Sequence, residues 1–206
     1  MDKRIISIEK RLLTMPQTNS DISLLKPDLY PKNTPKNPPH PAAVLITLVP
    51  NGNDYNILYT KRSNELRAHS GQISFPGGKI DKSDKDAASA ALREANEEVA
   101  IEPKDVQILG YLPTMFTGTN YLITPVVGVL KSASQFKANP SEVDEIFEVP
   151  LSFLSRNDVY EPFKVFHGNQ YQLTWKIEHE NRVIWGITAN LTRAFKDLAL
   201  VGEYHE

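Results

Sequence analysis

The chain has 206 residues, a formal net charge of −2 and no cysteine. The absence of cysteine excludes disulfides and thiolate chemistry, and a near-neutral charge without a basic stripe excludes a general affinity for nucleic acid. No apolar run approaches the ~20 residues of a membrane span, and the amino terminus lacks the apolar core of a signal peptide. We therefore expect a cytoplasmic protein that binds neither nucleic acid nor a membrane.

The amino-terminal segment, residues 3–15, predicts a short amphipathic helix. Its apolar side chains recur at helical spacing and are Ile5, Ile8, Leu12 and Leu13. A basic amphipathic helix can lie on a membrane surface, but this one is brief and contains Glu9. We expect it to pack against the domain or against a partner subunit. The second alternative, which stays open, would make the protein a homodimer.

Residues 26–41 are rich in proline and poor in branched hydrophobic side chains. This composition predicts an extended linker, or an arm that crosses the surface. We divide the chain accordingly into an amino-terminal helix with a proline-rich arm, residues 1–40, and a main domain, residues 41–206. Hydrophobic residues make up 40% of the sequence, which is ordinary for a globular domain with a substantial core.

The main domain begins with residues 42–49, a continuous aliphatic run typical of a buried strand. This strand is expected to pair with residues 55–60 across the turn Asn51-Gly52-Asn53. Four further strands are predicted at 106–112, 122–130, 160–166 and 170–175. Helices are predicted at the glutamate-rich segment near residue 94, at 151–154 and at 183–200. This mixture indicates an α/β fold with a central mixed β-sheet flanked by helices.

A glycine pair separates a short strand from the glutamate-rich helix. Residues 71–75 alternate and predict a strand, which Pro76 ends. Gly77 and Gly78 follow, and such a pair permits positive φ and close approach of the backbone to a ligand. The polar residues 79–85 then predict a loop. The unit is therefore a strand, a glycine turn, a loop and a helix.

The helix carries three acids on one face. Strong helix formers dominate the sequence from about Asp86, with Asp84 or Asp86 available as N-cap. Glu94, Glu97 and Glu98 lie three and four positions apart, so they project from the same side. Carboxylate clusters select hard divalent cations such as Mg²⁺, Mn²⁺ or Ca²⁺. The helix therefore predicts a metal site.

These residues resemble the signature of the Nudix hydrolases, which cleave nucleoside diphosphates linked to another moiety. The matching residues are Gly78, a spacer, and the run Arg93-Glu94-Ala95-Asn96-Glu97-Glu98-Val99-Ala100-Ile101. Ala100 stands where the signature usually has glycine, and the spacer is one residue longer than the commonest form. The longer spacer is similar to that of the coenzyme A diphosphatase branch of the family.

Residues outside the signature resemble the same branch. The residues that precede the signature, 58–63 and 66–78, are similar to the motif found there in coenzyme A diphosphatases. The further similar segments are 124–128, 142–151 and 184–188. The resemblance, which covers roughly residues 40–200, implies a Nudix-type αβα sandwich that cleaves coenzyme A, or a derivative, to 4′-phosphopantetheine and adenosine 3′,5′-bisphosphate. Two alternatives stay open: a hydrolase of another conjugate, such as ADP-ribose or a dinucleotide, and a ligand-sensing module without turnover.

The carboxylates suit diphosphate hydrolysis, because that reaction needs cations that neutralise phosphate charge and activate water. We predict Mg²⁺ or Mn²⁺ as the cofactor, with Glu94 and Glu98 as direct ligands. Glu97 is predicted as a further ligand or as an acceptor behind the ligands. Arg93 is predicted to hold one of these acids. Glu97, Glu98 and Arg93 thus belong to the predicted catalytic residues.

The general base is expected in a carboxylate beyond the signature. Glu142 and Glu145 lie where related hydrolases place such a loop, and Glu142 is included among the predicted catalytic residues. These acids could equally be exposed residues that precede a strand. Glu97 is the competing candidate for the base.

Substrate contacts are predicted upstream of the helix. The planar fork of arginine suits phosphate, and coenzyme A carries a 3′-phosphate besides its diphosphate, so we assign Arg62 and Arg67 to substrate. His69 is predicted to touch substrate or to support a residue that does. Gly77 and Gly78 complete the predicted substrate-binding set, because their backbone can approach a ligand closely.

Overall fold

The computed structural model describes residues 2–17, 38–65, 69–132, 135–167, 170–202 and 204. Within these residues the larger sheet consists of β1 (His40–Asn51), β2 (Asp54–Arg62), β3 (Ile73–Ser74), β4 (Gly77–Lys79), β5 (Val106–Tyr111), β6 (Met115–Phe116), β7 (Tyr121–Leu130) and β8 (Val143–Pro150). The smaller sheet consists of β9 (Glu161–His167), β10 (Gln170–His179) and β11 (Arg182–Trp185). The helices are α1 (Lys3–Arg11), α2 (Ala87–Val99), α3 (Leu151–Leu154) and α4 (Ile187–Ala199).

The larger sheet is mixed. Its strand order is β3-β2-β1-β7-β5, with β4 added to β1, β6 to β7 and β8 to β2. The central pair, β1 and β7, runs parallel, whereas the other pairings in this sheet are antiparallel. The predicted turn joins β1 to β2, with Leu48 opposite Ile57 and Asn51 opposite Asp54.

Helices cover both faces of this sheet. Consecutive β1 residues point to opposite sides, so Leu45 packs in the cluster that contains Ala91 and Ala95 of α2. Ile46 packs in a second cluster, which contains Phe195 of α4. The small alanine side chains let α2 lie close to β1. The predicted α/β fold, with a central mixed sheet flanked by helices, is confirmed.

Four strands depart from the sequence prediction. Strand β4 lies where a turn and a loop were expected, and β6 was not expected. Residues 183–200 were expected to form one helix, but Val183 and Ile184 belong to β11, opposite Glu178 and Ile177 of β10. The helix begins only after Gly186, whose φ is 68°. Strand β8 was not assigned at all. Its acids alternate with buried Val143, Phe147 and Val149, the pattern of a strand with one buried face.

Helix α1 packs into the second cluster through Ile5 and Ile8, which are 2% and 0% exposed. This agrees with the predicted packing against the domain. Most of the predicted proline-rich arm lies outside the described residues, and the division at residue 40, the homodimer and the cytoplasmic location stay predictions. Among the described residues, no helix is long and apolar enough to cross a bilayer.

A buried chain of hydrogen bonds joins α4 to the sheet. The hydroxyls of Tyr59 and Thr192 lie 2.9 Å apart, and the Thr192 hydroxyl also donates to the carbonyl of Thr188 at 2.9 Å. The Thr188 hydroxyl donates in turn to the carbonyl of Ile73 in β3, again at 2.9 Å. The carboxyl-terminal helix is thereby tied to the strand that precedes the glycine pair.

Candidate active site

Strand β4 packs against β1 at a separation that only glycine permits. Gly77 and Gly78 pair with Val44 and Ala43. A Cβ on Gly77 would lie 2.4 Å from the Ala43 carbonyl oxygen, and one on Gly78 would lie 2.5 Å from the Glu94 carboxylate. Neither glycine has the positive φ that such a pair permits. The pair therefore provides space, for β1 on one side and for Glu94 on the other.

Both ends of α2 are capped. Of the two N-cap candidates, Asp86 has this role, and its Oδ1 accepts a hydrogen bond from the backbone N–H of Ser89 at 2.8 Å. At the other end Ala100 adopts the left-handed conformation, with φ 59° and ψ 33°. Its N–H donates to the carbonyl of Asn96 at 3.0 Å. This conformation costs an L-residue about 1 kcal/mol, so the glycine usual here would fit better.

Arg93 donates five hydrogen bonds to four groups. Its Nε and Nη2 donate to the two oxygens of Asp84, each at 3.0 Å. Its Nη1 donates to Glu94 at 2.9 Å and to Glu97 at 3.2 Å, and its Nη2 donates to the carbonyl of Lys79 at 3.2 Å. The hydrogen bond from Arg93 lowers the pKa of the Asp84 carboxyl. Arg93 thus ties the loop before α2 to the glutamates.

The charge of Glu142 acts on both Glu94 and Glu98, and the charge of Glu94 acts on Glu98. Glu98 is 2% exposed, and burial raises its pKa to about 8; the charge of Arg62 opposes this rise, while Glu94 and Glu142 add to it. Burial also raises the pKa of Glu94, against a lowering by Arg93 and with a further rise from the neighbouring acids, Glu142 among them. The neighbouring acids therefore disfavour ionisation of Glu94 and Glu98, and a cation would relieve this repulsion.

Arg62, the last residue of β2, faces Glu98. Its Nη1 lies 3.8 Å from Glu98 Oε1, too far for a hydrogen bond. Arg62 Nε and Glu98 Oε2 are both buried and have no hydrogen-bond partner among the described residues. The backbone N–H of Gly77 also acts on this carboxylate and lowers its pKa. Polar atoms buried in this way are costly unless a polar ligand pairs with them.

The loop before β8 places Glu142 where its charge acts on Glu94 and Glu98. The N–H of Asn139 donates to the carbonyl of Glu98 at 2.9 Å, which fixes the loop on the end of α2. The N–H of Ser63 donates to the carbonyl of Glu142, also at 2.9 Å. Glu142 is thereby held between α2 and the residue that follows Arg62.

Glu145, the other candidate base, is engaged elsewhere. Arg182 of β11 donates to Glu145 Oε1 from Nε at 2.9 Å and from Nη2 at 2.6 Å. The same guanidinium lies 4.6 Å from the centre of the Phe147 ring. Glu145 therefore joins the two sheets, and Glu142 is the loop carboxylate that acts on Glu94 and Glu98.

Glu97 does not share the buried position of its neighbours. Its side chain is 52% exposed and contacts Arg93. Of the three acids predicted to converge, Glu94 and Glu98 meet inside the cluster, and Glu97 lies at its edge, where its charge still raises the pKa of Glu94.

Besides Arg62, two residues that precede α2 were predicted to contact substrate, His69 and Arg67. His69 is exposed, has a positive φ of 56°, and its Nδ1 lies 2.8 Å from Gln72 Oε1. Gln72 in turn accepts, through its carbonyl, the backbone N–H of Arg62 at 2.9 Å. His69 is thus connected to Arg62 through one intervening residue. Arg67 lies outside the described residues.

Comparison with known proteins identifies the family. The NUDIX domain family matches residues 38–175. Two relatives from Citrobacter koseri and Escherichia coli K12, both named uncharacterized Nudix hydrolase NudL, are 37% and 38% identical over 186 residues, which cover 90% of this chain and 95% of each relative. The chain belongs to the Nudix family. It is a Nudix hydrolase of a nucleoside diphosphate derivative, and Nudix hydrolases generally use divalent ions such as Mg²⁺ or Mn²⁺.

Solved Nudix structures resemble parts of the chain. A Caenorhabditis elegans Ap4A hydrolase binary complex matches 52% of this chain and 78% of its own length, with a TM-score of 0.46 and 19% identity. A MutT/nudix family protein from Enterococcus faecalis matches 90% of this chain and 63% of its own length, with a TM-score of 0.46 and 12% identity.

The carboxylates of this Nudix hydrolase fit a hard divalent ion. The carboxylate oxygens of these acids suit Mg²⁺ or Mn²⁺, and Glu98 Oε2 is a buried acceptor without a hydrogen-bond partner in the described ranges. In the part of the chain that the structure describes, no three His, Cys, Asp or Glu side chains form a ready-made metal cage. Mg²⁺ usually takes one or two carboxylates and keeps waters and substrate phosphate as its other ligands.

Sequence reasoning missed the role of Asp84 in this Nudix site. Asp84 was considered only as an N-cap, yet it accepts two hydrogen bonds from Arg93. The signal was weak, because the two residues lie nine positions apart, across a loop and a helix start. The excess of acids in that loop, facing an arginine in the signature, was the only available clue.

Proposed function

We propose that this protein is a Mg²⁺- or Mn²⁺-dependent diphosphatase that cleaves coenzyme A, or a derivative, to 4′-phosphopantetheine and adenosine 3′,5′-bisphosphate. One observation supports this more than any other: Arg62 Nη1 lies 3.8 Å from Glu98 Oε1. Arg62 belongs to the segment that is similar to coenzyme A diphosphatases, and Glu98 belongs to the Nudix signature. The branch motif and the family motif therefore contribute to one site.

In this proposal Glu94 and Glu98 hold the divalent ion, and Glu97 is a further ligand or an acceptor at the edge. When bound, the ion neutralises diphosphate charge and lowers the pKa of the attacking water. Arg93 positions Glu94 through the hydrogen bond of 2.9 Å. Since Asp84 holds the other side of the guanidinium, Arg93 keeps Glu94 aimed into the cluster.

Glu142 is the proposed general base. Its carboxylate takes a proton from water as the water oxygen bonds to one phosphorus, and the bond from that phosphorus to the bridging oxygen breaks. Two phosphate monoesters result. Glu142 is favoured over Glu145 because Arg182 already donates two hydrogen bonds to Glu145, whereas the charge of Glu142 acts directly on Glu98. Glu97 is the competing candidate.

Arg62 and Arg67 are proposed to bind substrate phosphates, including the 3′-phosphate of coenzyme A. His69, connected to Arg62 through Gln72, is proposed to contact the same region of the substrate. Gly77 and Gly78 are proposed to contact the substrate through their backbone, because the space that a side chain would take is filled by β1 and by Glu94.

The test is turnover with Mg²⁺ or Mn²⁺ across coenzyme A, dephospho-coenzyme A, ADP-ribose and diadenosine polyphosphates, followed by chromatography of the products. The highest kcat/KM is expected for coenzyme A, with 4′-phosphopantetheine among the products. If only the other conjugates react, the metal-dependent hydrolase stands and the coenzyme A assignment is wrong. If no substrate reacts with either metal, the ligand-sensing alternative gains support.

A further inference from the structure

We propose that Arg62 is a positioning residue that opposes the metal: its guanidinium lies beside Glu98 in the metal-free protein, and arrival of a divalent ion turns this cation toward the substrate phosphates. Metal loading and diphosphate binding are then coupled through a single side chain. The inference rests on the proposed function, because it needs an ion held by Glu98, but it goes beyond that function by assigning how the ion and the substrate affect each other.

The contact between Arg62 and Glu98 is close but poorly formed. At 3.8 Å it joins charges without a hydrogen bond. Both groups keep a buried atom, Arg62 Nε and Glu98 Oε2, without a partner among the described residues. An arginine fully committed to an acid would donate two parallel bonds at about 2.9 Å. Arg62 therefore compensates the charge of Glu98 and retains donors for another anion.

The charges determine the direction of the effect. An ion bound to Glu98 at an ordinary Mg²⁺ distance of about 2.1 Å would lie within roughly 6 Å of the present Nη1 position. Two positive charges at that separation repel, and a partly buried pair is little screened by salt. Arg62 thus opposes metal binding as long as no anion is present.

A diphosphate reverses this effect. Its oxygens attract both the ion and the guanidinium, so the repulsion between the two cations is replaced by two attractions to one anion. Because binding free energies are reciprocal, a diphosphate that strengthens metal binding is itself bound more tightly when the metal is present. Removing the charge of Arg62 should strengthen metal binding alone and weaken this coupling.

The chain offers a matched control. Lys61 precedes Arg62 in β2 and pairs with Glu145 of β8, and the strand register shifts between Lys61 and Arg62. The ion pair with Glu98 is formed by Arg62. Lys61→Gln and Arg62→Gln change the net charge of the protein equally, so the difference between them isolates the local effect of the guanidinium. Arg62→Met removes the same charge but keeps an apolar stem, and it replaces Arg62→Gln if that variant fails to fold.

The experiment titrates the metal-free full chain with Mn²⁺. Electron paramagnetic resonance measures the concentration of the free ion at each step. The titration is run with and without the non-hydrolysable probe α,β-methylene-ADP. Arg62→Gln should bind Mn²⁺ alone roughly tenfold more tightly than the unaltered protein, a change that corresponds to about 1.4 kcal/mol. The probe should strengthen Mn²⁺ binding several-fold in the unaltered protein and in Lys61→Gln, and clearly less in Arg62→Gln.

The outcomes separate this inference from the proposed function. If the unaltered protein binds Mn²⁺ and Glu98→Gln does not, the metal site stands. Unchanged or weaker Mn²⁺ binding in both charge-removing variants of Arg62 then overturns the inference alone. Equal strengthening by Lys61→Gln also overturns it, because the effect would be one of net charge. If Glu98→Gln binds Mn²⁺ as the unaltered protein does, the proposed metal site itself is wrong.

Discussion

Two arginines contact the glutamates of α2, Arg93 from within the helix and Arg62 from the end of β2, and they are held very differently. Arg93 donates to Asp84, Glu94, Glu97 and the carbonyl of Lys79. Arg62 approaches one acid at 3.8 Å and keeps a buried Nε without a partner in the described residues. Proximity to a carboxylate is therefore not enough to assign a role to an arginine. The number of satisfied donors separates a structural anchor from a cation that can still act on a ligand.

The largest expected effect is at the acid that Arg62 faces. Glu98→Gln keeps the volume of the side chain and removes its charge, so we expect kcat for coenzyme A to fall by roughly 10³-fold, near the upper end of what a lost charge-stabilising group costs. The fold should survive, because neutral Glu98 is already favoured by burial. Steady-state turnover with Mg²⁺ measures the loss, and circular dichroism checks the fold.

Glu97→Gln is the matched control, because the same change is made on an exposed side chain held only by Arg93. If kcat falls as much in Glu97→Gln as in Glu98→Gln, the buried carboxylate that faces Arg62 does not contribute more to turnover than the exposed one. Unchanged turnover in Glu98→Gln would remove the basis of the metal assignment.

The second effect is a pH dependence of stability in metal-free protein. The pKa of Glu98 rises from about 4.5 to about 8 on folding. Below pH 4.5 the carboxyl is neutral in both states. As pH rises toward 8 the unfolded chain releases this proton and the folded chain retains it, so the free energy of unfolding should fall by a few kcal/mol.

Urea unfolding with EDTA, at steps between about pH 5 and about pH 8.5, measures this decline. Glu98→Gln should lack the part of the slope that this carboxyl causes, and saturating Mg²⁺ should reduce it, because the ion replaces the proton. If the free energy of unfolding depends on pH equally in Glu98→Gln and in the unaltered protein, another group causes that dependence. The charge of Arg62 would then stabilise ionised Glu98 far better than the distance of 3.8 Å suggests.

The third effect compares the two arginines directly. Arg93→Ala leaves Asp84, which is largely buried, and Glu94 without their cation, and charge-assisted bonds of this kind are worth about 1.5–3 kcal/mol. We expect a loss of about 2–3 kcal/mol in the free energy of unfolding by urea titration at neutral pH. Arg62→Gln should lose less than about 1 kcal/mol, since among the described residues the contact of its guanidinium with Glu98, at 3.8 Å, is longer than a hydrogen bond. Equal losses would contradict the distinction between anchor and free cation.

The smallest expected effect involves no charge, so it shows how large a purely conformational change in stability is. Ala100→Gly relieves the left-handed conformation at the end of α2, where φ is 59°. We expect thermal unfolding to shift upward by an amount that corresponds to about 1 kcal/mol, with unchanged turnover and no new pH dependence. A loss of stability would indicate that the methyl group of Ala100 contributes more than its conformation costs.

The sequence was sufficient for features that depend on local pattern. The continuous run of β1, the alanine-rich α2 and the spacing of Glu94, Glu97 and Glu98 could all be interpreted from neighbouring residues. The same spacing could not reveal that Glu97 is exposed and Glu98 buried, because that difference depends on what packs against α2. Similarly, the glycine pair was expected to turn the chain, whereas β4 needs it for contact with β1 and with Glu94.

Features that depend on distant partners were missed. Strand β11 looked like the start of α4, since Val183 to Trp185 continues an apolar segment, and only its pairing with β10 decides the matter. Glu145 could be separated from Glu142 only by the position of Arg182, 37 residues later. The bond of Arg93 to Asp84 belongs to the same class. Side-chain partners across long separations leave no periodic trace in the sequence.

The hydroxyl chain from Tyr59 through Thr192 and Thr188 to Ile73 has a consequence for cooperativity. It joins α4 to β3, the strand that leads into the glycine pair. We therefore expect α4 and β3 to unfold locally as one cooperative unit. Amide protons of α4 and of β3 are then expected to exchange with solvent at a common rate. A fluctuation that loosens the carboxyl-terminal helix would then also loosen the strand that leads to the glutamates proposed as catalytic.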